Sequence, residues 1–129
     1  MNRALGLALI CAALATQGAL AGEVIAHLSV VLDAAEIRDV FLGEKQFSGS
    51  LKLVPVDNRT LQAEFLAKVL QSDERTYAAR WTRKSFREGL AAPAVRGNDA
   101  EVIEFVRATR GAIGYVATSV EGVKVLEKF

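Results

Sequence analysis

The feature that most constrains the fold is a helical pattern that runs directly into a glycine-rich strand. Asp99 to Ala108 carries apolar residues at helical spacing, and Arg110-Gly111-Ala112-Ile113-Gly114-Tyr115-Val116 follows it. Gly111 can supply the left-handed residue with which a helix often ends. The residues after it are strand formers, and Gly114 leaves room for a close neighbour. This stretch therefore predicts a helix, a tight turn and a strand.

Three more strands are predicted in the rest of the chain. Apolar and β-branched residues indicate strands near Val24–Leu28 and over Leu51–Val56, and Val123–Leu126 indicates a short last strand. Because proline cannot donate a ladder hydrogen bond, Pro55 predicts that the second strand ends at a sheet edge or leaves the sheet there.

Three helices are predicted between the strands from capping residues and apolar spacing. Asp33 and Glu36 match a capping box, Asn58 or Thr60 is the expected N-cap of the second helix, and Ser72-Asp73-Glu74 opens the third. The order β-α-β-α-α-α-β-β favours a layered α/β domain. Ten side chains are expected in the core: Ile37, Phe41, Phe65, Leu66, Trp81, Val102, Phe105, Val106, Ile113 and Tyr115. Phe47 and Phe86 are also expected to pack back onto the domain.

The first 21 residues have the parts of a secretory signal peptide. Arg3 precedes an apolar run from Ala4 to Ala15, and Ala19-Leu20-Ala21 has the small-x-small pattern of a cleavage site. We expect cleavage after Ala21, which leaves one domain from Gly22 to Phe129. A lipid anchor on Cys11 is the alternative, although Ile10 stands where that processing requires a small residue. The expected location is the periplasm.

Charge and residue usage exclude several classes of function. The chain has 16 basic and 15 acidic residues, and removing the leader takes away Arg3, so the mature domain is neutral. A neutral domain predicts no nucleic-acid partner, and the basic stretch from Arg75 to Arg87 is expected to be a solvated helix face. The one cysteine leaves with the leader, and His27 is the one histidine, so no metal site or cofactor is expected.

No catalytic constellation is visible in the sequence, so the chain is not expected to be an enzyme. It contains no nucleophile elbow and no phosphate loop. An Asp/Glu pair brought together in space is left open, because acidic pairs such as Glu101 and Glu104 are expected on the solvated side of a helix.

Four segments resemble the phosphate-type periplasmic substrate-binding proteins of ABC transporters. The first, Leu32 to Gly43, resembles their helix and F-x-G motif, and the second is Leu53-Val54-Pro55-Val56-Asp57 with the helix that follows. The third is Tyr77-x3-Trp81-x4-Phe86-x2-Gly89. The fourth joins Asp99–Ile103 to Gly111–Val116. These motifs extend over nearly all of the mature chain.

The resemblance implies one lobe of a type 2 periplasmic-binding-protein fold, with a mixed sheet flanked by helices. The family has two such lobes with ligand between them, and this chain has about half the usual length. The implied function is exported solute binding, with phosphate or another small anion as ligand for ABC-type uptake or sensing. A membrane transporter or sensor and a second copy of the chain are the implied partners. The alternative is a periplasmic interaction or sensor-accessory module that has lost its ligand.

The expected ligand-binding residues are Asn58, Arg59, Thr60 and Gln62. The family has an arginine followed by Ser-Gly-Thr at the start of this helix, and the chain keeps Arg59 and Thr60 without the Ser-Gly. A helix N-terminus attracts anions, and an arginine beside it can add a charge-assisted contact. The loop before Asp99 is expected nearby. An ordinary capped helix start remains the alternative.

Overall fold

The computed structural model describes residues 19–129, so residues 1–18 of the expected signal peptide, with Cys11, lie outside the described residues. Seven strands and four helices make up this part. The strands are β1 (Glu23–Ala26), β2 (Phe47–Ser48), β3 (Leu51–Lys52), β4 (Val54–Asn58), β5 (Ala94–Arg96), β6 (Ala112–Val116) and β7 (Lys124–Lys128). The helices are α1 (Ala34–Phe41), α2 (Gln62–Lys68), α3 (Glu74–Glu88) and α4 (Asp99–Ala108). Within residues 19–129, no helix has the length and hydropathy that a membrane span requires.

Five strands form a mixed sheet in the order β5-β4-β6-β1-β7. Strand β4 pairs in parallel with β5 on one side and with β6 on the other. Strand β1 pairs antiparallel with both β6 and β7. Strands β2 and β3 form a separate hairpin. Because β4, β5 and β6 are parallel, their carboxyl ends lie at the same edge of the sheet.

Alternation along β6 divides the core between the two faces of the sheet. Ile113 and Tyr115 point towards the larger cluster, which α1, α2 and α3 cover, while Ala112 and Val116 point towards α4. Because successive strand residues face opposite sides, one buried strand can serve both layers. The expected mixed α/β architecture with helices on both faces is confirmed. Nine of the ten expected core residues are buried, and Phe105 is partly exposed.

The capping box predicted at the start of α1 is confirmed, and Gly111 is left-handed as predicted, but α4 already ends at its C-cap Thr109, two residues before Gly111. Asp33 and Glu36 form both bonds of the capping box, and Asn98 caps α4 by accepting from the Glu101 amide. Gly111 has φ of +83°, and a Cβ there would lie 2.0 Å from the Lys52 carbonyl oxygen. A Cβ on Gly114 would lie 2.8 Å from side-chain carbons of Val56 and Val102. Both glycines are therefore required by close contacts.

The prediction for Pro55 is wrong, because β4 continues through it to Asn58 between two neighbouring strands. Pairing with β5 begins at Val56, one residue after the proline. Pro55 therefore pairs with β6 and has no partner residue in β5. Strand β5 was not predicted, because Ala94–Arg96 lies between Gly89, Pro93 and Gly97, which are typical of a connecting loop.

The expected N-cap of α2 is also wrong. Leu61 occupies the N-cap position and makes no side-chain capping bond, while Asn58 is the last residue of β4. Two aromatic residues expected in the core are exposed. Phe47 lies in the hairpin and is 53% exposed, and Phe86 lies on the outer side of α3 and is 92% exposed.

Candidate functional site

Strand β4 ends in two polar residues that are almost completely buried. Asp57 is 1% exposed and Asn58 is 0% exposed, and no other buried residue in the range 19–129 is polar or charged. In α/β proteins, ligands bind beyond the carboxyl ends of parallel strands, which is where these two side chains lie. This edge of the sheet is therefore the candidate site.

The Asp57 carboxylate is held by two tyrosine hydroxyls. Tyr115 donates to Oδ1 at 2.7 Å, and Tyr77 donates to Oδ2 at 2.9 Å. Burial raises the pKa of Asp57 to about 6, although the bonds from the tyrosines and from Gln62 act in the opposite direction. Burial and the nearby carboxylate raise the pKa of both tyrosines, so they remain hydroxyl donors. The cluster can hold or release one proton near pH 6.

The Asn58 side chain forms four hydrogen bonds with other groups of the protein. Its Nδ2 donates to the Tyr115 carbonyl at 2.9 Å and to Asp99 Oδ1 at 2.8 Å. Its Oδ1 accepts from the Thr60 amide at 3.0 Å and from the Thr60 hydroxyl at 2.7 Å. With these bonds made, Asn58 fixes the turn after β4 and connects it to α4.

Of the other three expected site residues, Arg59 and Thr60 lie in this turn and Gln62 is the first residue of α2. Arg59 and Thr60 are exposed, and Gln62 is half-buried. The Arg59 amide donates to the Arg96 carbonyl at 2.9 Å, which attaches the turn to the end of β5. Gln62 hydrogen-bonds to the Asp57 carboxylate and lines a pocket with it, whereas Arg59 and Thr60 do not line that pocket. Asn58 supports Thr60 through two hydrogen bonds.

Two carboxylates in the first turn of α4 accept hydrogen bonds from backbone amides outside the helix. Asp99 Oδ2 accepts from the Ala117 amide at 3.0 Å, and Glu101 Oε1 accepts from the Gly97 amide at 3.1 Å. Asn98 caps the same helix end. An anion that approached the loop before Asp99 would meet these negative charges, so the positive end of α4 is neutralised from within the chain.

A groove runs from Asp57 along α3 to β5. Its volume is about 660 Å³. Its lining residues are Asp57, Gln62, Tyr77, Ala78, Trp81, Thr82, Ser85, Phe86, Ala92, Pro93 and Val95. The walls are mainly apolar, and the polar groups are concentrated at the Asp57 end and along one side of α3. We call this surface the α3–β5 groove.

His27 takes part in a local turn. Its Nδ1 lies 2.8 Å from the Ser29 hydroxyl oxygen and accepts from the Ser29 amide at 3.0 Å. The Ser29 hydroxyl oxygen also accepts from the Gly111 amide at 3.2 Å, which attaches this turn to β6. Across residues 19–129, no group of three or more His, Cys, Asp or Glu side chains is arranged to hold a metal ion.

Sequence reasoning did not find the Asp57–Tyr77–Tyr115 cluster. Tyr77 and Tyr115 lie 20 and 58 positions after Asp57 in the sequence. The pairing of strands in the sheet and the packing of α3 bring the three side chains together. One local signal was present, since an aspartate directly after Leu53-Val54-Pro55-Val56 must either leave the sheet or find hydrogen-bond partners. Tyr115 lies on a buried strand, so its hydroxyl also needs a hydrogen-bond partner, and Asp57 provides it.

The fold is similar to that of a solved transport receptor. An ABC-type phosphate transport receptor from Vibrio cholerae matches with a TM-score of 0.53 and 13% sequence identity. The match covers 84% of this chain and 46% of the receptor chain, so this chain spans less than half of the receptor. No protein-family model matches the sequence, and no curated protein matches it. The chain therefore has the fold of a periplasmic-binding-protein lobe.

Proposed function

We propose that the chain is an exported periplasmic binding lobe that takes a small anion such as phosphate and has no catalytic role. A membrane transporter or a sensor is its proposed partner. The observation that carries this proposal is the similarity of its fold to the phosphate transport receptor over 84% of its length. The proposed ligand surface is the turn after β4.

Charge and geometry at this turn support an anion as the ligand. Arg59 is exposed, and its guanidinium is in no ion pair within the part of the chain that the structure describes. The Thr60 amide and hydroxyl both donate to Asn58 Oδ1, and the Gln62 side chain bonds Asp57, so Arg59 is the donor that the turn offers to an anion. A guanidinium can contact an oxyanion through two parallel hydrogen bonds, which fits phosphate, sulfate or a carboxylate.

Packing around Gly22 supports the proposed removal of a leader. The Gly22 amide donates to the Phe129 carbonyl at 3.0 Å, and the Phe129 amide donates back to Gly22 at 2.9 Å. A Cβ on Gly22 would lie 2.6 Å from the Val116 carbonyl oxygen. Gly22 thus lies directly before β1 and is bonded to the last residue, so cleavage after Ala21 keeps these contacts. It removes the bond of the Ala21 amide to Phe129 and that of Lys68 Nζ to the Ala19 carbonyl.

Calorimetric titration tests the proposal on protein purified from the periplasm, whose N-terminus should be Gly22 by mass spectrometry. We expect phosphate or sulfate to bind with a dissociation constant of about 1 mM, since a one-sided site leaves the anion half in water. Arg59→Ala should abolish the binding. Arg110→Ala, which removes another exposed arginine, is the matched control and should leave the binding unchanged. Equal loss in both variants would contradict a specific site at Arg59.

A second candidate function is a periplasmic interaction or sensor-accessory module without a small ligand. The observation that favours it is that Asp99 and Glu101 place two carboxylates in the first turn of α4, where they would repel an anion. In that case no anion produces heat in the titration, and Arg59→Ala melts like the wild type with and without phosphate. The anion proposal then fails, while the binding-lobe fold stands.

A further inference from the structure

We propose that one face of α3, in the second half of the helix, contacts the surface of an anionic lipid bilayer. Three exposed side chains form this face, Arg83, Phe86 and Arg87, and we call it the Arg83–Arg87 face. The two guanidinium groups contact lipid phosphates, while the Phe86 ring enters the boundary between the headgroups and the acyl chains. The proposal does not depend on the anion site at Arg59.

Basic side chains are concentrated in the second half of α3. Arg80, Arg83, Lys84 and Arg87 line one depression together with Glu88. Residues three or four apart are neighbours on a helix, and like charges at this spacing repel each other. Arg80 with Lys84, and Arg83 with Arg87, are such pairs. The arrangement is unfavourable for the helix by itself, so the basic residues need anionic partners.

Two of these four basic residues have anionic partners within the chain. Arg80 pairs with Glu44 at 2.9 Å, and Lys84 pairs with Glu44 at 3.1 Å and with Glu88 at 3.3 Å. Both side chains also donate to backbone carbonyls directly after α1. Arg80 and Lys84 therefore join α3 to the end of α1.

Arg83 and Arg87 are the two basic residues that remain. Neither forms an ion pair with any residue in the described range 19–129. Their other neighbours three or four positions away include no acid: Ala79, Arg80, Lys84, Phe86, Leu90 and Ala91. Because basic and acidic residues balance in the mature domain, an anionic surface attracts this face in particular and orients the protein on it.

Phe86 indicates which anionic partner fits the Arg83–Arg87 face. Its ring is 92% exposed and lies one helical turn from Arg83. A protein partner needs a shaped pocket for such a ring, and a free phosphate ion leaves the ring in water. A bilayer accepts a protruding ring without a preformed pocket, and its phosphates lie at the level that long arginine side chains reach. An anionic lipid surface therefore suits all three side chains.

A second copy of the chain fits this face less well. In a two-fold dimer through the face, Arg83 and Arg87 of one copy would meet the same two residues of the other. Like charges across an interface are unfavourable, whereas lipid phosphates neutralise them.

Cosedimentation with lipid vesicles tests the proposal on the mature protein. One set of vesicles contains phosphatidylglycerol and phosphatidylcholine in equal amounts, and the other contains phosphatidylcholine alone. We expect binding to the anionic vesicles and none to the neutral ones. Binding should fall as salt rises from about 50 mM to about 500 mM, because exposed charges are screened.

Charge variants locate the contact on α3. Arg83→Gln/Arg87→Gln should weaken vesicle binding by about tenfold or more, since each basic residue near an anionic surface contributes about fivefold. Lys52→Gln/Arg110→Gln removes two other exposed charges and is the matched control, which should bind as the wild type does. Circular dichroism melts verify that the variants are folded.

Tryptophan fluorescence tests whether the ring at position 86 enters the bilayer. The chain has one tryptophan, Trp81, which is 6% exposed and gives a constant background. In Phe86→Trp, the added emission should shift to shorter wavelength with anionic vesicles, because the ring leaves water. Phe47→Trp places the same probe on the hairpin and should show no shift.

Inorganic phosphate is the second arm of the experiment. It should change the melting temperature of the wild type and of Arg83→Gln/Arg87→Gln to the same extent, since a free phosphate ion is not the expected occupant of this face. A phosphate effect that Arg59→Ala removes reports separately on the site at Arg59.

Any of four results would overturn the proposal. The first is no binding to anionic vesicles, or equal binding to both kinds of vesicle. The second is equal loss of binding in the α3 variant and its matched control, or no shift in Phe86→Trp. The third is a phosphate effect that Arg83→Gln/Arg87→Gln abolishes, which would make the face a site for a small anion. The fourth is self-association without vesicles that Phe86→Ser abolishes, which would make it a contact between copies.

Discussion

At the scale of single residues, Asp57 is the least ordinary feature of this protein. A carboxylate that is 1% exposed is stable as an anion only with strong partners, and the hydroxyls of Tyr77 and Tyr115 supply them. The bonds do not fully offset burial, since the pKa of Asp57 is raised from 3.8 to about 6. The folded protein therefore holds the Asp57 proton to a higher pH than the unfolded chain does.

The raised pKa of Asp57 predicts how stability depends on pH. Between about pH 4 and pH 6 the folded state binds the proton and the unfolded state does not, so stability falls as pH rises through this range. The contribution lost by pH 7 is about 3 kcal/mol, from a shift of about two pKa units. Asp57→Asn removes this loss. The measurement is the free energy of unfolding from urea titrations at a series of pH values.

The comparison of the two proteins isolates Asp57 from other groups. Glu23, Glu44 and Asp73 have lowered pKa values, so their contributions increase with pH in both proteins. The wild type should lose stability relative to Asp57→Asn as pH rises from 4 to 7. Parallel stability profiles would show that the carboxylate titrates as it does in the unfolded chain.

At the scale of elements, the turn between α4 and β6 fits directly against the hairpin. Gly111 combines φ of +83° with backbone contact to Lys52, and its carbonyl accepts from the Val54 amide at 2.9 Å. The turn thus connects the start of β4 to the start of β6. Any side chain at this position must displace backbone from β3, because the Lys52 carbonyl cannot rotate away as a flexible side chain would.

Gly111→Ala should destabilise the protein more than Gly49→Ala does. Both glycines have positive φ, +83° and +63°, so both substitutions carry left-handed strain of about 1–2 kcal/mol. A Cβ on Gly49 meets no atom within 4 Å, whereas one on Gly111 meets the Lys52 carbonyl. The displaced backbone should cost about 2 kcal/mol more. Thermal and urea unfolding of both variants measure the difference, and equal losses would contradict the close contact.

The sequence predicted the elements whose signals are local. The capping box at Asp33 and the close contacts of Gly114 in β6 are predicted from neighbouring residues, and both are confirmed. The role of Pro55 depended on where β5 pairs, about 40 residues later in the chain, so its local signal was misleading. Phe86 was misplaced because α3 has apolar residues on two sides.

The residues of the candidate site also differ in whether the sequence could predict them. Arg59, Thr60 and Gln62 were selected by resemblance and by their place after a strand. In the structure Arg59 and Thr60 are exposed in the turn, whereas Gln62 bonds Asp57. Tyr77 and Tyr115 could not be assigned to Asp57, since that pairing depends on the order of strands in the sheet. Asn58 was expected to contact a ligand, and the four internal bonds of its side chain give it a supporting role instead.

At the scale of the whole molecule, the chain corresponds to 46% of the receptor that it matches. The match thus leaves more than half of the receptor chain uncovered. The anion that we propose at Arg59 would keep part of its hydration on a single lobe, which would limit its affinity. We propose that a second copy of the chain covers the anion. The two Arg59 side chains would repel each other in such a dimer, and the anion between them would offset this repulsion.

This arrangement predicts that anion binding and dimerisation strengthen each other. If the anion binds more tightly between two copies, linkage requires that the dimer be stabilised to the same extent by the anion. Sedimentation of the wild type should show dimers with phosphate and monomers without it, and the melting temperature should rise with both phosphate and protein concentration. Arg59→Ala should remain monomeric and should melt at one temperature in all conditions, with its fold intact because Arg59 is exposed. Micromolar phosphate binding by a protein that stays monomeric would contradict the shared site, because a single lobe would then be sufficient.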